Sequence, residues 1–503
     1  MQIVIGNTSN GSLQSLEQNS NSSIHELPVE ILIRILSDVL ADPMSAPFDC
    51  AQLWILGHIC SRWRSIVCSE MPLAWSNINV DFRPFTRTAR RPHHAAEILR
   101  VCIERTKDCP LRIAFRCASD IVAATGDGWL QCLDALVAVS ERWKGVDLSI
   151  PITVLGRLVS AKGHLNSLEV LNLSLEPPNA HSLPHLLDVF EDAPKLSSVT
   201  TSSHLSSNTF KLPWKQIVNY RTQRMEVENC IDVLHLAPNL RVFHAKVEKP
   251  RSSSLGDRDT TGTVYTLSTH RTRSTFNSLQ SLSLNVLMRP GYEHELLQRL
   301  LQLPPDPNQP HENSQILFPS LTDIRLATSP TALANYAALP LSQSCFGSSL
   351  TKVTIRSVFD APSDYKGTRE FLLALPMVRQ LAFGVCFHHT HDVVNILYEI
   401  LSLPSSSHTA DIDKPAEIVL PKLEVLILDI DYGESTPTWV IDPMKEMIQS
   451  RRESEFMTRF GCVPLQKFHL YLATWTTPRQ SFEKSLEELT NEDFEIKIMR
   501  GLL

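Results

Sequence analysis

One pattern constrains this chain more than any other. The run apolar-x-x-apolar-x-apolar returns from segments starting at Trp143, Leu168, Leu196, Ile217, Leu240, Leu279, Leu321, Leu350, Val378, Leu423 and Leu465. Clear cases are Leu168–Leu171–Leu173, Leu279–Leu282–Leu284, Leu321–Ile324–Leu326 and Leu423–Leu426–Leu428. Alternation at a spacing of two is the period of a strand with one buried face. Such a strand needs neighbours beside it and a covering layer on its apolar side. Three segments break the third slot, which holds Thr201, Thr222 and Ala245. In a chain that is 43% hydrophobic, three specified slots fill by chance in roughly one window in twelve. Position and spacing therefore carry the argument.

The shortest interval, Leu196 to Ile217, is 21 residues, and several more stay under 30. That class matches the turn of a leucine-rich repeat. Most of the longer intervals hold an insertion, at 249–275, 304–315 and 404–415. Proline stands two residues before the first slot in five segments, as Pro194, Pro238, Pro319, Pro376 and Pro421. With 32 Pro in 503 residues, chance supplies about 0.7. Proline lacks an N–H, so it suits the end of a helix or the first position of a strand. The pattern predicts an α/β chain: an irregular leucine-rich-repeat solenoid over residues 110–480, with a curved, mainly parallel sheet, helices outside and a cap at 481–503. The Asn ladder of regular repeats is missing.

Ahead of the array the composition changes. Residues 1–23 are rich in Ser and Asn and poor in apolar residues, which predicts a disordered tail. Residues 24–82 form a dense apolar block with Trp54, Trp63 and Trp75. Within it, Pro28 fits a first helical position and Glu30 the positive end of the helix dipole. Leu32, Ile35, Leu36, Val39 and Leu40 follow helical spacing, with Ile31 and Ile33 off that stripe. A helix apolar almost all round needs burial on more than one side, and so small a module covers only part of it. A second helix is expected over Leu53–Cys68. Residues 83–109 read as an Arg- and Pro-rich linker (Arg83, Arg87, Arg90, Arg91) and a connecting helix, His94–Asp108, with Ile98, Leu99 and Cys102 on one face.

Leu27-Pro28-x-Glu30-Ile31-Leu32-x-x-Ile35-Leu36, followed by Ile59-Cys60-x-x-Trp63, resembles the F-box signature. Met71-Pro72-Leu73-Ala74-Trp75, then Cys109-Pro110-Leu111 and Ser140-Glu141-Arg142-Trp143, resemble segments of fungal F-box families. The connection Ala41–Gln52 is longer than in a compact F-box. The resemblance implies a three-helix F-box and a substrate receptor of a Skp–cullin–F-box ubiquitin ligase. By that resemblance Leu27, Pro28, Ile31, Ile35, Ile59, Cys60 and Trp63 contact the Skp-type adaptor, which joins the chain to a cullin. A plainer reading is that they only close a small helical core. A scaffold whose F-box plays no part in ubiquitination is a second reading of the whole.

Other chemistries fit poorly. Net charge is −7, the wrong sign for a chain whose main partner is nucleic acid. No apolar run is long enough for a membrane span, and no signal peptide is expected at the start. Cysteines without CxxC pairing read as reduced, so a cytoplasmic or nuclear place is expected. P-loop, GxSxG and GxGxxG motifs are absent, and no enzyme activity or cofactor is expected. Cys386, His388, His389 and His391 read as a strand end with exposed histidines rather than a metal site. Between the apolar slots several strands are polar. That predicts an inner face free to meet an unidentified protein substrate, with Arg325, Lys352, Arg379 and Lys467 as candidate contacts.

Overall fold

The computed structural model describes residues 24–40, 50–82, 92–117, 128–176, 187–202, 210–247, 276–286, 318–328, 349–359, 365–387, 392–403, 417–431, 441–453, 457–458, 461–472, 486, 489 and 493–500. The expected tail, the basic stretch 83–91 and the three insertions lie outside them.

Fourteen strands form one open sheet in strict chain order. They are β1 (Asn77–Asp81), β2 (Leu111–Arg116), β3 (Trp143–Pro151), β4 (Val170–Glu176), β5 (Ser198–Thr201), β6 (Asn219–Met225) and β7 (Val242–Val247). Then come β8 (Ser281–Val286), β9 (Asp323–Thr328), β10 (Lys352–Phe359), β11 (Gln380–Phe387), β12 (Val425–Asp431), β13 (Lys467–Leu472) and β14 (Glu495–Arg500). Every adjacent pair is parallel. All eleven segments read from the sequence are strands, β3 to β13. The register places like slots side by side: Leu282 beside Ile324, then Val353, Leu381, Leu426 and Phe468.

Every slot residue is at most 3% exposed, including the irregular Thr201, Thr222 and Ala245. Those three are neighbours in register, so the small residues form one contiguous notch. Larger aromatics stand one slot earlier: Tyr220 stacks on Phe243 at 6.2 Å between ring centroids and reaches Thr201 Oγ1 with its hydroxyl at 3.5 Å.

Proline has a different role from the expected helix stop. The N–H of the first slot bonds the carbonyl three residues earlier: Leu196 to Ala193, Leu240 to Ala237, Leu321 to Phe318, Val378 to Leu375 and Leu423 to Leu420, at 3.1–3.3 Å. Each proline is thus the second residue of a tight turn, where its fixed φ is favourable and its missing N–H costs nothing. The residue that opens the turn is itself buried, as Leu165, Ala193, Trp214, Ala237, Phe276, Phe318, Leu375 and Leu420. This is a fourth apolar position, and rings from successive turns stack there: Phe276 and Phe318 lie 5.3 Å apart.

Helices α6 (Gly128–Val137), α7 (Val227–Leu236), α8 (Tyr365–Leu373), α9 (Asp392–Leu401) and α10 (Ile441–Ser450) bury their apolar stripes in the same cluster as the slots. They cover one face of the sheet. The sheet also runs past its expected span at both ends. β1 lies inside the block expected to be wholly helical, and β14 lies in the expected cap, paired to β13. No helix among the described residues is long and apolar enough to cross a membrane.

Arg451, 1% exposed, ties three successive turns together. Its guanidinium donates to the carbonyls of Leu401 (2.5 Å), Leu420 (2.9 Å) and Val419 (2.6 Å), while its own carbonyl accepts from Leu465 N–H. Burial pulls its pKa down to about 10, so the cation persists at neutral pH. Arg451→Met strands the buried Leu401 and Val419 carbonyls and is expected to cost about 3 kcal/mol in urea unfolding. Arg451→Lys, which lacks the planar fork, is expected to recover less than half of that.

Candidate functional site

Two surfaces stand out, one apolar and one polar. The first belongs to the N-terminal helices. α1 (Val29–Leu40) buries Leu32 and Leu36 against Leu53, Leu56, Ile66, Val67, Met71 and Trp75. The expected second helix is broken in the middle. α2 (Cys50–Ile59) stops at Cys60, whose extended backbone and Sγ cap α3 (Ser61–Ser65) by accepting from Trp63 N–H at 3.4 Å. The chain continues as a π-helical turn (Ile66–Glu70) into α4 (Pro72–Trp75).

α1 turns a different face inward from the one its spacing suggested. Leu32 and Leu36 are buried, with Ile33 and Leu40 packed beside them. Ile35 and Val39, expected on the buried stripe, stand exposed with Ile31. One helical turn separates each from the next, so Ile31, Ile35 and Val39 form a single exposed stripe. On α2, Ile55 and Ile59 are exposed in the same way. Of the fourteen large apolar side chains exposed among the described residues, eight belong to residues 24–73.

The seven residues expected to contact an adaptor therefore divide. Leu27 and Trp63 are half-buried and packed on the helical cluster, and Arg62 holds the Leu27 carbonyl at 2.5 Å. Cys60 is a cap. Pro28, Ile31, Ile35 and Ile59 face outward.

The helices are joined firmly to the array. α5 (Pro92–Arg105) sends Cys102 into the helical cluster and Leu99 into the sheet core. Ile98, expected on that same face, is 51% exposed. Arg105 lies over the faces of Trp54 and Trp75, at 4.4 and 4.6 Å, an arrangement in which a cation gains from ring quadrupoles.

The second surface is the sheet face opposite the helices. Its cations mostly carry their own counterions: Arg116 with Asp147 (2.6 Å), Arg325 with Asp323 (3.0 Å), Arg379 with Glu424 (3.1 Å) and Lys467 with Glu495 (3.3 Å). Three of the four cations expected to bind substrate are thus matched by a carboxylate on the same or the next strand. Lys352 has none among the described residues. The four do not share a row: Lys352 lies opposite Asp323, and Arg325 opposite Thr354. Near β2 to β4 the face sinks into a cavity of about 300 Å³, rimmed by Arg112, Lys144 and Glu169 over Ala114 and Gly145.

The spacing argument missed Arg221 on β6 and His244 and Lys246 on β7. Their strands carry the irregular third slots Thr222 and Ala245. Burial, then the cations Arg221, Arg325 and Lys246, hold the His244 imidazole below its usual pKa.

No family model and no curated protein matches the chain. The geometry must speak for the function. No group of three or more potential metal ligands occurs among the described residues; His388, His389 and His391 lie outside them.

One ion pair crosses a whole strand. Arg356 of β10 reaches Asp429 of β12 at 3.6 Å by passing over Gly384 of β11, in register with both. A Cβ on Gly384 would stand 3.1 Å from Arg356 Cγ. Gly384→Val is expected to displace the guanidinium from the buried Asp429 and cost about 2 kcal/mol. In a double-mutant cycle read by urea unfolding, Arg356→Met should absorb more than half of the Gly384→Val penalty; simple additivity would show that the pair does not depend on the glycine.

Proposed function

We propose that this chain is a non-enzymatic F-box adaptor, in which residues 24–75 dock a Skp-type adaptor of a cullin ligase and the repeat array presents a protein substrate. One observation carries the reading: the exposed apolar stripe Ile31–Ile35–Val39, on helices whose own cluster takes only the opposite side of α1. The residues that resemble the F-box signature supply the identity of the partner, and the open polar face of the sheet supplies a surface for a substrate.

A second reading has its own support. Cys102 and Arg105 bind the helices to the first turns of the array, as an N-terminal cap of a solenoid requires. On that reading the chain is an interaction scaffold with no link to ubiquitination.

The two readings separate at residues that are exposed in the chain alone. Leu27 supports the helical cluster, so its truncation mixes folding with docking. Ile31→Ser with Ile35→Ser is cleaner. In titration calorimetry against the purified adaptor, the parent is expected to bind and the double variant to lose about thirtyfold in affinity, near 2 kcal/mol, with unchanged thermal melting. Absence of binding by the parent, or equal affinity in the variant, favours the scaffold.

A further inference from the structure

Across β6 to β9, one row of the open face reads Arg221, His244, Ser283, Arg325. Arg221 is in register with His244, His244 with Ser283, and Ser283 with Arg325. Strands stand about 4.8 Å apart, so the row is roughly 14 Å long. Lys246, two residues beyond His244 on β7, shares its face. Arg325 leans on Asp323. Among the described residues, Arg221 and Lys246 meet no carboxylate, and the charged groups that act on His244 are all cations.

This concentration is unusual on this molecule. Elsewhere on the same face the cations mostly sit beside carboxylates, and the chain as a whole is acidic. Along this row Asp323, beside Arg325, is the one counterion among the described residues. Such a row is complementary to an anion from outside.

We infer that the row Arg221–His244–Ser283–Arg325, with Lys246, is the docking site for an acidic segment of a partner protein, its Asp and Glu side chains lying across β6 to β9. The assignment rests on the reading that the array captures a protein, and it names the chemistry of what is captured. A nucleic acid is poorly served, because so few cations neutralise too few phosphates. Ser283 at the middle of the row is buried, so the half-buried imidazole of His244 supplies the directional N–H donor to carboxylate oxygens between the two guanidinium groups.

The test uses the full chain and a fluorescein-labelled octaglutamate peptide in an anisotropy titration. Saturable binding that weakens as salt rises is expected. Arg221→Glu with Lys246→Glu should lower the affinity at least tenfold. Lys195→Glu with Arg100→Glu, which changes net charge equally at exposed sites away from the row, should stay within twofold. Should the first pair melt early, Arg221→Gln with Lys246→Gln replaces it, with at least a threefold loss expected. Three results overturn the inference: no saturable binding, equal loss in both charge-reversed pairs, or a labelled RNA octamer bound more tightly than the peptide at the same row. Capture of the Skp-type adaptor is measured in parallel. Its loss from the parent chain counts against the F-box reading alone; retained capture with no peptide binding counts against this site alone.

Discussion

The architecture depends on in-register stacking of apolar slots between parallel strands. A single strand of this kind buries three side chains and one more from its leading turn, which cannot offset the entropy of ordering twenty or more residues. Each strand gains its stability from the like slots of the strands on either side and from the helix layer above. That is why the sheet runs in strict chain order, and two kinds of buried polar group have a defined task in it. Arg451 donates to the carbonyls of Leu401 and Val419 and adds a second bond to that of Leu420, which also closes its own turn with Leu423. Thr201 and Thr222 fill a notch beside a layer of larger rings.

Because one face is given over to this packing, the other is left uncovered by the helices. Strand alternation puts every second side chain there whatever its chemistry. Along most of the sheet those side chains settle their charges among themselves, as Arg379 does with Glu424 and Lys467 with Glu495. Exposed pairs of that kind contribute little to stability, ~0–1 kcal/mol each, but they cancel the local field. Over β6 and β7, Arg221 and Lys246 meet no carboxylate among the described residues. At the N-terminal end the unmet demand is hydrophobic instead. α1 has two apolar sides and the cluster beneath it covers one.

Much of this was legible in the sequence. The apolar rhythm located eleven strands, and the Phe-Pro, Leu-Pro and Ala-Pro turns marked their approach. The broken slots at Thr201, Thr222 and Ala245 did not break the array, because small residues in register leave room for Tyr220 and Phe243 rather than a void. The site was less legible. Arg325, Lys352, Arg379 and Lys467 were found by their position between slots. Position says which face a side chain is on, not which carboxylate from the next strand lies beside it. Glu424 and Glu495 become neighbours of Arg379 and Lys467 only through register, whereas Asp323 lies two residues from Arg325 on the same strand.

By itself, the sequence determined the repeat, the face of each strand that is buried and the presence of an apolar helical block ahead of the array. Those follow from local periodicity, which folding cannot change. Tertiary structure alone decided which side of α1 is spent inside the block, because Leu32 and Leu36 meet Leu53 and Trp75 across a gap of sequence. It also decided where the second helix breaks, at the Cys60 cap, and that β1 and β14 extend the sheet. It decided which cations of separate strands meet a carboxylate, as Arg379 meets Glu424 and Lys467 meets Glu495, since such charges are brought within ion-pair distance only by the stacking of the strands.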